Sequence, residues 1–283
     1  APPTPRRRST RSARSRAATR TSAERDRVAG RLRAAGSVFA EDEAAILLDA
    51  ARDRAELEAL VSRRVAGEPL EHLVGWVDFG GLRLSVGPGV FVPRQRSRLL
   101  ARAAVRAAAA HEHPVVLEAY AGAAPIAAAV AAALPAAEVH AADIDPGALR
   151  RAGENLPPGA GVHASACLVG LPDGLRGRIV VIAAVPPYVP DDELGLLPSD
   201  RRAHEPAIAL LGGADGLDHV RELIDAAAEW LAPGGRVLVE LSRRQGRAAA
   251  AAARRAGYRA SYRTGPDRQT AILDLRARAD GVS

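Results

Sequence analysis

The sequence predicts an α/β protein: a doubly wound, mostly parallel sheet closed by an antiparallel hairpin, with a small helical domain and a β-hairpin linker ahead of it. Three observations carry this. Between Ala23 and Gly67 apolar positions recur at three and four, as on amphipathic helices. From Pro114 onward strand-like and helix-like segments alternate, and "RIVVIAA" is wholly apolar, as strands buried on both faces are. The chain closes on "YRASYR" and "QTAILDL", with Gly265 to Arg268 between them, close enough to pair as a hairpin.

Residues 1–23 hold Pro, Ser, Thr and seven arginines without an acid or an apolar period, a composition that reads as a disordered tail. An organellar transit peptide or a polyanion-binding arm shares that composition, but the apolar core of a secretory signal is missing. Residues 24–73 form the helical domain, from "AERDRVAGRLRAAG", "AEDEAAILLDAARD" and "RAELEALVSRRVAG". Residues 74–95 form the linker, where "WVDFGGLRLSV" alternates around Gly80-Gly81. The main domain is 96–283. It opens on a linking helix, then a strand at "PVVLE", a helix at "IAAAVAAAL" stopped near Pro135, and a strand at "EVHAA" that ends at Asp143. In "DPGALRRAGENL" Asp145 is placed as N-cap and Pro146 at the first helical position. The strand "RIVVIAA", the helix "LDHVRELIDAAAEWLAPGG" with its glycine stop, the strand "RVLVEL" and the helix "RAAAAAARRAG" complete the alternation.

Composition narrows the chemistry. The formal charge of +6 belongs to the tail, because subtracting its seven arginines leaves −1 for the rest, so a basic nucleic-acid groove in the globular part is not expected. No apolar run is long enough to span a bilayer. The single Cys167 excludes an intrachain disulfide and a cysteine-based zinc site, favours a reducing, cytoplasmic setting, and leaves no metal site expected. There is no lysine, which rules out Schiff-base chemistry, and Asn155 is the only asparagine.

Ligands of open α/β sheets bind at the carboxyl ends of strands, and three stretches fall there. In "VVLEAYAGAAPIAAAV" a strand passes through a short turn, Tyr120, Ala121, Gly122, Ala123 and Ala124, into a helix, the arrangement that offers backbone N–H groups to a nucleoside cofactor. An ordinary βα turn reads the same way. Glu118 could contact that cofactor or satisfy N–H groups of the turn, and Asp143 could accept from ribose hydroxyls. In "VVIAAVPPYVP", Pro186 and Pro187 end a strand, because proline has no N–H for the ladder. The turn could be a rigid cap with Tyr188 half-buried, or a substrate clamp with Tyr188 as a wall. In "HEPAIALLGGADGLDHV" the Gly212-Gly213 turn leads to a helix that Asp218 could help begin.

Together "GEPLEHLVGWVDFGGLRLSVGPGVFVPR", the Asp143 strand end, "VPPYVP", "HEPAIALLGGADGL" and "LAPGGRVLVELSRRQG" resemble, in that order, the protein-(glutamine-N5) methyltransferases that act on translation release factors. The resemblance runs from about Ala23 to Leu275. It implies a class I S-adenosylmethionine-dependent methyltransferase domain with a seven-stranded Rossmann-like sheet, and a protein substrate such as a release factor. It also implies an Asn-Pro-Pro-Tyr turn that holds the glutamine amide, through the Asn side chain and the first proline's carbonyl. Here Val185, Pro186, Pro187 and Tyr188 occupy that turn, and Val185 has no acceptor. The cofactor positions implied are Glu118, Tyr120, Ala121, Gly122, Ala123, Ala124, Asp143 and Ala166, with Tyr120 and Ala124 in place of the outer glycines, and Ala166 and Val180 in place of acids. A bulky Tyr120 is expected to obstruct the cofactor or force another backbone path. Two functions follow: methyl transfer to a side-chain amide, or a pseudoenzyme that keeps the fold as a binding protein.

Overall fold

The structure, a computed structural model, describes residues 11–196 and 207–277. The chain divides into two compact units, residues 1–74 and 75–283. The first holds helices α1 (Arg11–Ala34), α2 (Ala40–Ala50), α3 (Arg54–Val65) and α4 (Leu70–Val74) around Val28, Leu32, Ala44, Leu47, Leu57 and Val61. Asp53 caps α3 by accepting the Glu56 N–H at 2.9 Å. Helix α1 starts at Arg11, inside the stretch that composition assigns to a disordered tail. Arginine and alanine, frequent there, are among the better helix formers, and a lack of acids does not oppose a helix. Residues 1–10 of that tail lie outside the described residues.

The second unit opens on a two-stranded hairpin, β1 (Trp76–Phe79) and β2 (Leu82–Ser85), with Gly80 and Gly81 at φ of +67° and +91° in its turn. Helix α5 (Arg98–Ala108) follows. Strands β3 (Val115–Ala119), β4 (Glu138–Asp143), β5 (Gly161–Ala164), β6 (Ile179–Ala184), β7 (Leu231–Ser242), β8 (Arg259–Thr264) and β9 (Thr270–Arg276) make one sheet, in the order β5-β4-β3-β6-β7-β9-β8. The first five in that order run parallel, and β9 pairs antiparallel with both β7 and β8. Helices α6 (Pro125–Ala133) and α7 (Pro146–Asn155) join α5 on one face, and α8 (Asp218–Ala227) and α9 (Gly246–Arg255) cover the other. This is a doubly wound, mostly parallel sheet with its hairpin last.

Local chemistry explains the elements. Every residue of β3 and β6 is buried, which suits central strands covered on both faces. Asp145 caps α7 by accepting the N–H groups of Gly147 and Ala148 at 2.5 and 3.0 Å, with Pro146 in the first turn. Two details differ from the periodicity reading. Strand β5 is four residues long and alternates between exposed and half-buried positions, so it carries no apolar signal. The glycines expected to stop a helix before β7 lie inside that strand: Ile179 pairs with Leu231 and Val181 with Arg236, leaving residues 232–235 looped out around Gly234 at φ +75°.

Candidate active site

Strand β3 lies between β4 and β6, so the chain leaves the sheet's centre in opposite directions there. The loops at the carboxyl ends of these strands surround a cavity of about 610 Å³, within the ordinary range of small-molecule sites. Glu118, residues 120–123 of the turn after β3, Asp143, Ala166 and the whole Val185 to Tyr188 turn line it, while Ala124 does not.

In the turn after β3, Tyr120, Gly122 and Ala124 stand at φ of +53°, +54° and +56°. Tyrosine and alanine pay about 1 to 2 kcal/mol each in that left-handed region. Four hydrogen bonds hold it: Ala121 N–H to Ala142 O (3.1 Å), Gly122 N–H to Asp143 Oδ2 (2.8 Å), Ala124 N–H to Ala121 O (2.7 Å) and Ala127 N–H to Glu118 Oε2 (2.7 Å). Asn155 adds a fifth constraint, donating to Ala123 O at 2.8 Å and to Ser85 O at 3.0 Å. Tyr120 thus stands in the left-handed region that glycine adopts most readily. Its ring packs on the face covered by α8, with its centroid 5.5 Å from that of His219 and its hydroxyl 3.4 Å from Glu222 Oε2. A Cβ at Gly122 would meet nothing nearer than Phe91 O at 4.0 Å, so this backbone borders open space.

The carboxylates divide in role. Glu118 is buried, and burial pushes its carboxyl well above the usual range; the N–H groups of Ala127 and Ile126 pull it back, and Asp143 adds to the rise. Of the two alternatives for Glu118, the hydrogen bond seen is the one to α6. Asp143 accepts Gly122 N–H on one oxygen and Asp145 N–H on the other at 2.9 Å, and each oxygen keeps a second lone pair. Ile144, 58% exposed, adds an apolar wall. Ala166 bridges to Val169 and offers no polar side chain. Beside it, burial raises the Cys167 thiol to about 11, so it is a thiol at neutral pH.

Val185 follows β6 and packs against the apolar core, and Pro186 and Pro187 are buried. Tyr188 accepts on its hydroxyl from Arg96 Nη2 at 2.7 Å, and Arg96 Nε reaches Glu240 Oε1 at 3.2 Å. Gln245 Nε2 donates to Tyr188 O at 2.8 Å and lies within 3.2 Å of Asp215 O and Gly216 O. Gly212 and Gly216 are more than loop residues: a Cβ there would fall 2.6 Å from Pro187 O and 2.2 Å from Tyr188 O. Asp218 is the first residue of α8 and the acid of its first turn, without a side-chain cap bond, while Asp215 accepts the Leu217 N–H at 3.1 Å just ahead of it. Residues 204–206 of that loop lie outside the described residues. Among the described residues no His, Cys, Asp or Glu cluster could hold a metal, and no helix is long and apolar enough to cross a membrane.

Arg96, Glu240, Gln245 and Asn155 were not singled out as site residues from the sequence. Glu240 had a signal, a lone acid inside an apolar strand. Gln245 stood only within the stretch "LAPGGRVLVELSRRQG" that carries the resemblance, and Arg96 had no local signal.

No family model matches the sequence. A release factor glutamine methyltransferase of Deinococcus radiodurans is 38% identical over 221 residues, covering 78% of this chain and 78% of that protein. Proteins of the same name from Moorella thermoacetica and Streptomyces coelicolor are 38% and 36% identical, over 73% and 66% of this chain and 74% and 67% of their own. The solved protein-(glutamine-N5) methyltransferase of Alicyclobacillus acidocaldarius aligns over 68% of this chain and 98% of its own, at 22% identity and a TM-score of 0.43. With identity of this level over more than two thirds of both chains, the protein belongs to the release factor glutamine methyltransferase family.

Proposed function

We propose that this chain is an S-adenosylmethionine-dependent methyltransferase of the cytoplasm that acts on the side-chain amide of a glutamine in a protein such as a release factor, with a weakened hold on that amide. One observation carries the reading: in a member of this family, a single cavity joins the turn after β3 and Asp143 to the Val185 to Tyr188 turn.

The residues present fit the cofactor. The cavity has the volume, Asp143 keeps lone pairs for ribose hydroxyls, and the turn from Tyr120 to Ala124 follows a left-handed path beside open space. Ile144 and Ala166 give apolar surface for the adenine. When bound, S-adenosylmethionine supplies an electrophilic methyl group on its sulfonium. The protein's part is orientation, because an amide nitrogen is a poor nucleophile and must be aimed along the line of transfer. Pro186 supplies a carbonyl to accept from the amide, and Tyr188 supplies the wall. Val185 offers no acceptor, and a missing hydrogen bond of this kind costs about 1.5 to 3 kcal/mol of transition-state stabilisation.

Val185 also favours a second reading, a pseudoenzyme retained as a binding protein. A methyl-transfer assay on a release factor separates the two. The enzymatic reading expects slow transfer to glutamine; a chain that transfers no methyl group, even as V185N, supports the pseudoenzyme.

A further inference from the structure

We propose that Arg96 is a positioning residue for the acceptor turn: it holds the Tyr188 ring by its hydroxyl, while Glu240 holds Arg96. The inference rests on reading Val185 to Tyr188 as the element that receives the acceptor. Two successive prolines leave positions 186 and 187 without an N–H, so this stretch must be fastened through carbonyls and side chains. Gln245, itself buried, takes the backbone by donating to Tyr188 O at 2.8 Å. Arg96 takes the ring, with Nη2 2.7 Å from the hydroxyl.

The same guanidinium sends Nε to Glu240 Oε1 at 3.2 Å, so two donors of one rigid fork engage two partners and fix its plane. Glu240 is fully buried on β7, and the Arg96 side chain is 31% exposed. A charge so far from water needs its counter-ion, which makes Glu240 the anchor and Arg96 the arm. The three residues come from separate elements: the 3₁₀ turn Gln95–Ser97, the end of β7 and the loop after β6. The ring is thereby registered to the sheet at a point its own backbone cannot reach. A lysine at 96 would be a compact charge without the planar fork that fixes both partners at once.

The protein has four tyrosines, so a spectrum of ring-¹³C-labelled tyrosine identifies Tyr188 by its loss in Y188F. In R96Q, and in R96K, the Tyr188 ring signals move while those of Tyr120, Tyr258 and Tyr262 stay. The double variant R96Q/E240Q removes the carboxylate along with its partner and gives the same displacement, so a folding defect of R96Q alone does not block the test. Tyr188 signals at their wild-type positions in both R96K and R96Q/E240Q overturn the proposal. In methyl transfer, R96Q lowers kcat about tenfold to a hundredfold and leaves KM for S-adenosylmethionine unchanged, as a misaimed acceptor requires. A raised KM for S-adenosylmethionine with kcat intact overturns it as well. Absence of turnover in the wild-type protein counts against the proposed activity alone, since the tyrosine spectrum needs neither cofactor nor acceptor.

Discussion

The Val185 side chain packs against the core beside two buried prolines, so in the proposed reaction it offers the acceptor amide no side-chain hydrogen bond. V185N is expected to raise methyl transfer roughly tenfold to a hundredfold, with affinity for S-adenosylhomocysteine unchanged. Steady-state kinetics on a release factor check this, and equal rates in both proteins would contradict it. Glu118 gives a pH prediction. Its raised carboxyl means that the native chain keeps a proton that the unfolded chain releases, between the ordinary carboxylate range and the raised value. The stability it contributes is present below that window and is lost as pH rises through it. E118Q should flatten that part of the profile, and parallel melting curves of both proteins from about pH 4 to 9 would contradict the assignment. Cys167 should resist alkylation at about pH 8 in the native protein, because burial holds its thiol near about 11. Fast labelling at that pH, with native melting behaviour, would contradict the burial.

At the scale of elements, the site is a set of strand ends held by carbonyls, carboxylates and close packing. Gly216 shows how tight the packing is: G216A would put a methyl 2.2 Å from Tyr188 O at φ +71°. A destabilisation of about 2 kcal/mol or more is expected from chemical denaturation, and a change within about 0.5 kcal/mol would show that the loop yields. Much of this level was legible in the sequence. The alternation of strand and helix, Asp145 and Pro146 at the start of α7, and prolines at the end of β6 all follow from local chemistry. Less was legible where tertiary contacts overrule composition. Strand β5 is too short and exposed to show a period, α1 begins within an arginine-rich stretch, and Tyr120 holds a glycine's conformation because hydrogen bonds on either side fix it. Arg96 and Glu240 meet across 144 positions of sequence, a pairing that no local pattern reveals.

For the whole molecule, charge and core are separated along the chain. The second unit buries apolar residues on both faces of its sheet, while the excess positive charge lies in residues 1–23. Any binding to nucleic acid at low salt should therefore vanish on deleting residues 1–23 and should weaken steeply with salt before that; retention by the truncated chain would contradict this placement. The central claim, that the cavity at the strand ends is a working cofactor site, is tested most directly by calorimetric titration of the purified protein with S-adenosylhomocysteine, paired with its melting shift. The account predicts one ligand per chain, and a stabilisation of about 2.7 kcal/mol at a hundredfold excess over the dissociation constant. No heat and no shift at millimolar ligand would contradict it, leaving a methyltransferase fold kept for binding alone.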